Sequence, residues 1–194
     1  MKKSLDELIQ GAKTFALKEI KKFGFPTLLS FEISEKKALE LTKKLSADKE
    51  ITLLGVYLMD LKLGEARAQN KLNEHIKMSV KATREFLEKF DLEKEIKEKI
   101  INCVEAHHGE VPFICKEAEI CANADCYRFL HPKGFLAAIS GFVKIYGLEK
   151  GLKYTEMKID EKYKILSLDI CKKELEKYYF QFKRILKVAR AYEE

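Results

Sequence analysis

The sequence predicts an all-α protein, and three observations carry that prediction. Glycine and proline are scarce, nine and three in 194 residues, and both interrupt helices. Lys, Glu, Leu and Ile dominate a chain that is 46% hydrophobic and 35% charged, a mixture of strong helix formers. Apolar residues recur at three- and four-residue steps, the period of a helix with one buried face.

The elements follow in order. A first helix is expected from about Leu5 to Phe23, opened by the capping-box form Ser4-Leu5-Asp6-Glu7 and closed by Gly24-Phe25-Pro26. A second begins near Ser34 and buries Ala38, Leu41 and Leu45. Ser46-Ala47-Asp48 is a turn and a new cap. The third, Lys49 to about Leu63, is apolar nearly all round and reads as a central buried helix. Gly64 to Asn73 reads as a polar loop. A fourth helix carries His75, Ile76, Val80, Ala82, Phe86 and Leu87. A fifth starts at Asp91, with Ile96, Ile100, Val104 and His107 along one stripe. The sixth runs from about Lys116 to Leu130, where His131-Pro132 stops it. Another spans about Gly134 to Tyr146. Gly147 to Leu166 reads as less regular, and a long amphipathic helix from about Ser167 to Tyr192 ends the chain.

Composition excludes several classes. No stretch reaches eighteen uninterrupted apolar residues, so no transmembrane helix is expected. Met1-Lys2-Lys3-Ser4-Leu5-Asp6 has no apolar signal core, and the expected location is cytoplasmic. The five cysteines are an odd number without a Cys-x-x-Cys pair, which argues against a disulfide framework and for small buried packing residues. The net charge of +6 is largely spread through Lys/Glu mixtures such as Glu93 to Lys99, a solvated helix face. The run Lys172-Lys173…Lys177-Tyr178-Tyr179-Phe180…Lys183-Arg184 comes closest to a nucleic-acid stripe. It reads first as an amphipathic helix packing its aromatics inward, so nucleic acid is not the expected partner. A homodimer is compatible with the sequence.

Against this background a few polar residues stand out. Asp60 lies near the end of the buried third helix, where a carboxylate is costly unless paired or bound to a metal. His75 lies near the start of the next helix. His107 and His108 are adjacent at a helix end, and Asp125 lies within the sixth helix. Taken singly, each histidine reads as a satisfied core or surface side chain, Asp60 as a helix-end residue and Asp125 as a partner of Arg128. His131 reads as a helix-end residue near the dipole's negative pole. Taken together, the imidazoles and carboxylates suit Mn, Fe, Ni or Zn, and facing helices of a bundle are a natural place for such an ion.

The order of these groups resembles the HD superfamily of metal-dependent phosphohydrolases. Leu53-Leu54-Gly55-Val56-Tyr57-Leu58-Met59-Asp60 is similar to the apolar run ending in His-Asp. Glu74-His75, Ala106-His107-His108 and Glu117-Ala118-Glu119-Ile120…Ala124-Asp125 follow in the family's order. The resemblance implies a single HD-domain-like helical bundle over 1–194, with its core at about 30–145, an N-terminal helix and a C-terminal helical extension. It implies a divalent metal ion (Mn, Fe, Ni or Zn) held by Asp60, His75, His107 and Asp125. Asp60 and His108 would be the catalytic pair, and His108, Lys62 and Arg67 would bind a small phosphorylated or nucleotide ligand. The chain departs from the family at two ligand positions, with Ser30 near the place of the first histidine and Met59 in place of the histidine of the His-Asp pair. Asn123 stands where relatives often carry an acidic residue. Two readings therefore stand side by side: a divergent phosphohydrolase cleaving a phosphomonoester or nucleotide, and a catalytically inactive ligand-binding or protein-interaction module on the same fold.

Overall fold

The computed structural model describes residues 5–191, and among them it is helical throughout, with no strand. Ser4, the expected cap of the first helix, and Tyr192, the expected end of the last, lie outside the described residues. The chain divides into two compact units, Met1–Ala124 and Asp125–Glu194. No described helix is long and apolar enough to cross a membrane.

The first unit holds α1 (Leu5–Phe23), α2 (Leu28–Leu45), α3 (Lys49–Leu58), α4 (Leu63–Ala68), a 3-10 turn (Leu72–Glu74), α5 (His75–Leu87), α6 (Lys94–Glu105) and the start of α7 (Lys116–Leu130). Every residue from Ile51 to Leu61 is buried, as its all-round apolar character demands. α3 packs on α1, α2 and α6. Its N-terminus is capped by Asp48, whose side chain accepts from the Ile51 amide at 2.9 Å. The Asp48 amide in turn donates to Glu117 at 2.8 Å, which fixes the start of α7 beside the start of α3. Gly55 permits the close approach. A Cβ there would lie 2.5 Å from the Cys103 Cβ and 2.7 Å from the Cys121 Sγ.

A polar tie crosses the unit's other side. The Lys13 ammonium and the Tyr57 hydroxyl both donate to one oxygen of Glu35, joining α1, α2 and α3. The Tyr57 ring stacks on Phe31 with centroids 5.5 Å apart. Burial, reinforced by the bond to Glu35, raises the Tyr57 phenol above its usual range.

The structure differs from the expected elements in five places, one being α6, which opens at Lys94 rather than Asp91. α2 starts at Leu28 rather than near Ser34, because Thr27 is its N-cap and accepts from the Ser30 amide. α3 stops at Leu58, and a tight turn with a Leu61 N–H to Leu58 C=O bond carries Asp60. The expected loop after it contains α4, which packs Gly64 against Phe23 and the Phe25 carbonyl. The segment from Gly147 to Leu166 is the continuous helix α9.

The second unit begins within α7 and continues through α8 (Pro132–Tyr146), α9 (Leu148–Ile165) and α10 (Asp169–Ala191). α9 packs on both α8 and α10. Its buried stripe is Gly151, Leu152, Thr155, Ile159 and Lys162, helical in spacing but only partly apolar. On α10 the aromatics divide: Phe182 turns inward and stacks on Phe135 at 3.7 Å, whereas Phe180 stays 58% exposed. Lys183 binds Glu156 and Asp160, so part of the basic run is locally neutralised.

Two predictions follow from this packing. Gly55→Ala should lower unfolding free energy by about 1–3 kcal/mol through overpacking, partly offset by about 1 kcal/mol of helix propensity. Urea denaturation checks the net loss. An unfolded phenol ionises near pH 10, so stability resting on the protonated Tyr57 is present below that pH and falls as pH rises beyond it. Tyr57→Phe should show a shallower decline in urea midpoint between about pH 10 and 11.

Candidate metal centre

Three chain segments of the first unit supply the cluster. Asp60 leaves the buried end of α3 and is itself only 8% exposed. Two residues on, the chain is fixed across the unit, with the Lys62 amide donating to the Ser79 hydroxyl of α5 at 3.0 Å. His75 opens α5 directly after the 3-10 turn, and its Nδ1 lies 2.7 Å from the Leu72 carbonyl. His107 follows the last turn of α6, and its Nδ1 lies 2.6 Å from the Val104 carbonyl. In each case the ring nitrogen bonds a backbone carbonyl: at Val104 it is one that a helix end leaves without an intrahelical partner, whereas the Leu72 carbonyl also accepts the His75 amide. That bond makes Nδ1 the protonated nitrogen and leaves the Nε2 lone pair for another partner.

The Nε2 atoms of His107 and His75 lie 3.5 and 3.8 Å from the same oxygen, Asp60 Oδ1. His108 completes the group: one ligand nitrogen each from His75, His107 and His108 falls within 4.8 Å of the others. The rings meet edge to face, His107 and His108 with centroids 4.4 Å apart and His75 and His108 5.1 Å apart. His107 is fully buried, and its Nε2 has no hydrogen-bond partner among the described residues. Buried polar atoms are nearly always satisfied, so this nitrogen, with Asp60 as its nearest charged neighbour, is chemically suited to a metal ligand. Ligands that share one ion at about 2.1 Å sit at most roughly 4 Å apart, so small adjustments bring the three nitrogens onto a common centre. The end of α6 adds the negative pole of its dipole. Behind the pair, the Asn102 amide donates to the Pro112 carbonyl and accepts from the Ile114 amide, which secures the chain after Gly109.

The remaining expected site residues sit differently. Lys62 extends its ammonium to Glu65 at 2.8 Å and Glu19 at 3.1 Å. Burial pulls its pKa down, but these bonds outweigh that and hold it above the ordinary value. Arg67 lies over the Phe25 ring, 4.3 Å from its centroid. Met59 is buried, and Ser30 shares a hydrogen bond with Thr27, so neither offers a nitrogen or carboxylate ligand. The Asn123 side chain donates to the Glu119 carbonyl within its own helix.

Asp125 belongs to the second unit and is 1% exposed. One of its oxygens is 2.6 Å from Arg128 and the other 2.7 Å from Lys162. Burial depresses the Lys162 pKa, but the facing Asp125, with Glu161 nearby, outweighs it and holds the ammonium above its usual range. His131 is the N-cap of α8, its Nδ1 accepting from the Lys133 amide at 3.4 Å. All five cysteines are free thiols, four of them buried.

Sequence reasoning missed Lys162, Asn102 and Ser79. Lys162 stands three residues after Ile159 on the α9 stripe, so its helical register was the available signal. Asn102 and Ser79 hold backbone groups and carry no motif.

Removing one partner of a buried ion pair leaves an uncompensated charge and costs about 3–5 kcal/mol. Asp125→Asn should therefore lower unfolding free energy by about that amount, and the double change Asp125→Asn, Lys162→Met should recover at least half of it. Guanidinium denaturation of the four proteins in the cycle measures this.

No protein-family model, curated protein or solved structure matches the chain.

Proposed function

We propose that Asp60, His75, His107 and His108 form the divalent-metal site of a phosphohydrolase on an HD-type helical bundle, acting on a small phosphorylated or nucleotide substrate. One observation carries this reading. Two imidazoles, each anchored through Nδ1 to a backbone carbonyl, aim Nε2 at one carboxylate oxygen beside a third histidine. Anchoring of this kind fixes tautomer and ring direction in metal-ligating histidines. A bound divalent ion would supply Lewis acidity toward a phosphoryl oxygen and acidify water toward neutrality.

The chain's own residues have separable tasks. His75 and His107 present lone pairs from buried rings. Asp60 offsets charge and keeps both rings aligned. His108 is half-buried, the most accessible of the three rings, which favours it as the residue to touch a substrate phosphate or carry a proton. Lys62 already has two carboxylates, which favours a scaffolding task for it over phosphate binding. Asp125 already has Arg128 and Lys162, so the proposed ligand set is drawn from the first unit alone. The departures at Ser30 and Met59 favour a second reading, a catalytically inactive ligand-binding or interaction module that keeps the histidine cluster.

Loading with Mn, Fe, Ni or Zn, gel filtration and elemental analysis test the site. Near one equivalent of metal is expected in the wild type, with at least a tenfold loss of affinity in Asp60→Asn and His75→Gln. Saturation at about 100 times Kd should stabilise the fold by about 2.7 kcal/mol. Absence of both retention and thermal shift would sink the metal reading. Metal binding without hydrolysis across a phosphate-ester screen would select the inactive module.

A further inference from the structure

The geometry points to a second anion subsite in the groove along α5 and α6, which selects phosphate esters carrying another anionic group. This rests on the histidine cluster being the hydrolytic centre. The groove, about 320 Å³, is lined by residues next in the chain to that cluster: Ile76 follows His75 directly, and Glu105 stands two residues before His107. Half-buried Ile76 and Val80 give it an apolar floor. Exposed Lys77, Lys81 and Arg84 line it on successive turns of α5. None of the three has an ion-pair partner among the described residues. That sets them apart from the paired lysines of this unit, such as Lys13, Lys44, Lys62 and Lys99.

Seven residues of helix separate Lys77 from Arg84, about 10 Å of rise. A phosphate held at His108 would leave the body of its ester over Ile76 and Val80. A second phosphoryl or carboxylate group on that body then meets the cationic row. Glu105, at the histidine end, is an acceptor for a hydroxyl or amino group on the same body. Glu85, at the far end, leaves the row with a net positive balance. The occupant is therefore a compact bis-anion with an apolar, hydroxyl-bearing middle. A monoester with a neutral leaving group would use only half of the surface.

The test compares a nucleoside 3′,5′-bisphosphate with the corresponding 5′-monophosphate by isothermal calorimetry, on wild type and on the triple variant Lys77→Gln, Lys81→Gln, Arg84→Gln. All three positions are exposed, and circular dichroism verifies folding. The bisphosphate should bind wild type at least tenfold more tightly, and the variant should lose that advantage while keeping its metal content. Equal affinities in wild type, or an advantage that survives the triple change, would overturn the subsite. Metal content measured on the same samples separates the two ideas. Charge-dependent bisphosphate binding by a protein that retains no metal would keep the groove and overturn the hydrolytic centre.

Discussion

α3 has no polar face, and the rest of the first unit is arranged to satisfy that constraint. Enclosing such a helix requires neighbours on every side, and α1, α2 and α6 provide them, with the start of α7 drawn in by Glu117 and Cys121. The enclosure extends past the end of the helix, so the chain emerges into a buried turn and Asp60 is carried in with it. A carboxylate so placed is costly unless neighbours compensate it. α6, one of the covering helices, also brings His107 within ion-pair distance of it, and α5, packed on α6, brings His75.

The two buried aspartates of this chain are balanced in different ways. Asp125 is held by a guanidinium and an ammonium, both permanently charged near neutral pH. Asp60 faces imidazoles, which accept a proton or give up the same lone pair to a metal. The first arrangement suits a structural role within the helical core of the second unit. The second arrangement is exchangeable, which is what a site for chemistry needs. The carbonyls of Leu72 and Val104 add direction, because they leave only one nitrogen on each ring able to turn inward.

Much of this was legible in the sequence, and the rest was hidden for identifiable reasons. The all-round apolar character of Ile51 to Leu61 announced a central helix, and the isolation of Asp60 within it marked a polar group needing partners. The adjacency of His107 and His108 before Gly109 marked a helix end. α9 was obscured because its buried stripe uses Gly151, Thr155 and Lys162 where apolar residues are expected. The early start of α2 depended on Thr27 as a cap following Pro26, a local signal outweighed by the absence of strong apolar periodicity. The state of Asp125 turned on Lys162, thirty-seven positions away (162 − 125), and no local pattern reports a pairing at that separation. Lys62 and Arg67 looked available for a ligand because Glu19, which joins the local Glu65 in holding Lys62, and Phe25, which lies under Arg67, are on other segments.

The bond between Asp48 and Glu117 spans 69 residues, and this separation bears on biogenesis. At synthesis rates of about 5–20 residues per second, α3 leaves the ribosome roughly 3–14 seconds before the start of α7. For that interval one of the most apolar segments of the chain lacks part of its cover, exposed to chaperones and to other nascent chains. Early docking on α1 and α2, both already synthesised, is the available protection. The Lys13–Glu35–Tyr57 tie, made wholly within those first three helices, is suited to hold that intermediate together until α6 and α7 arrive.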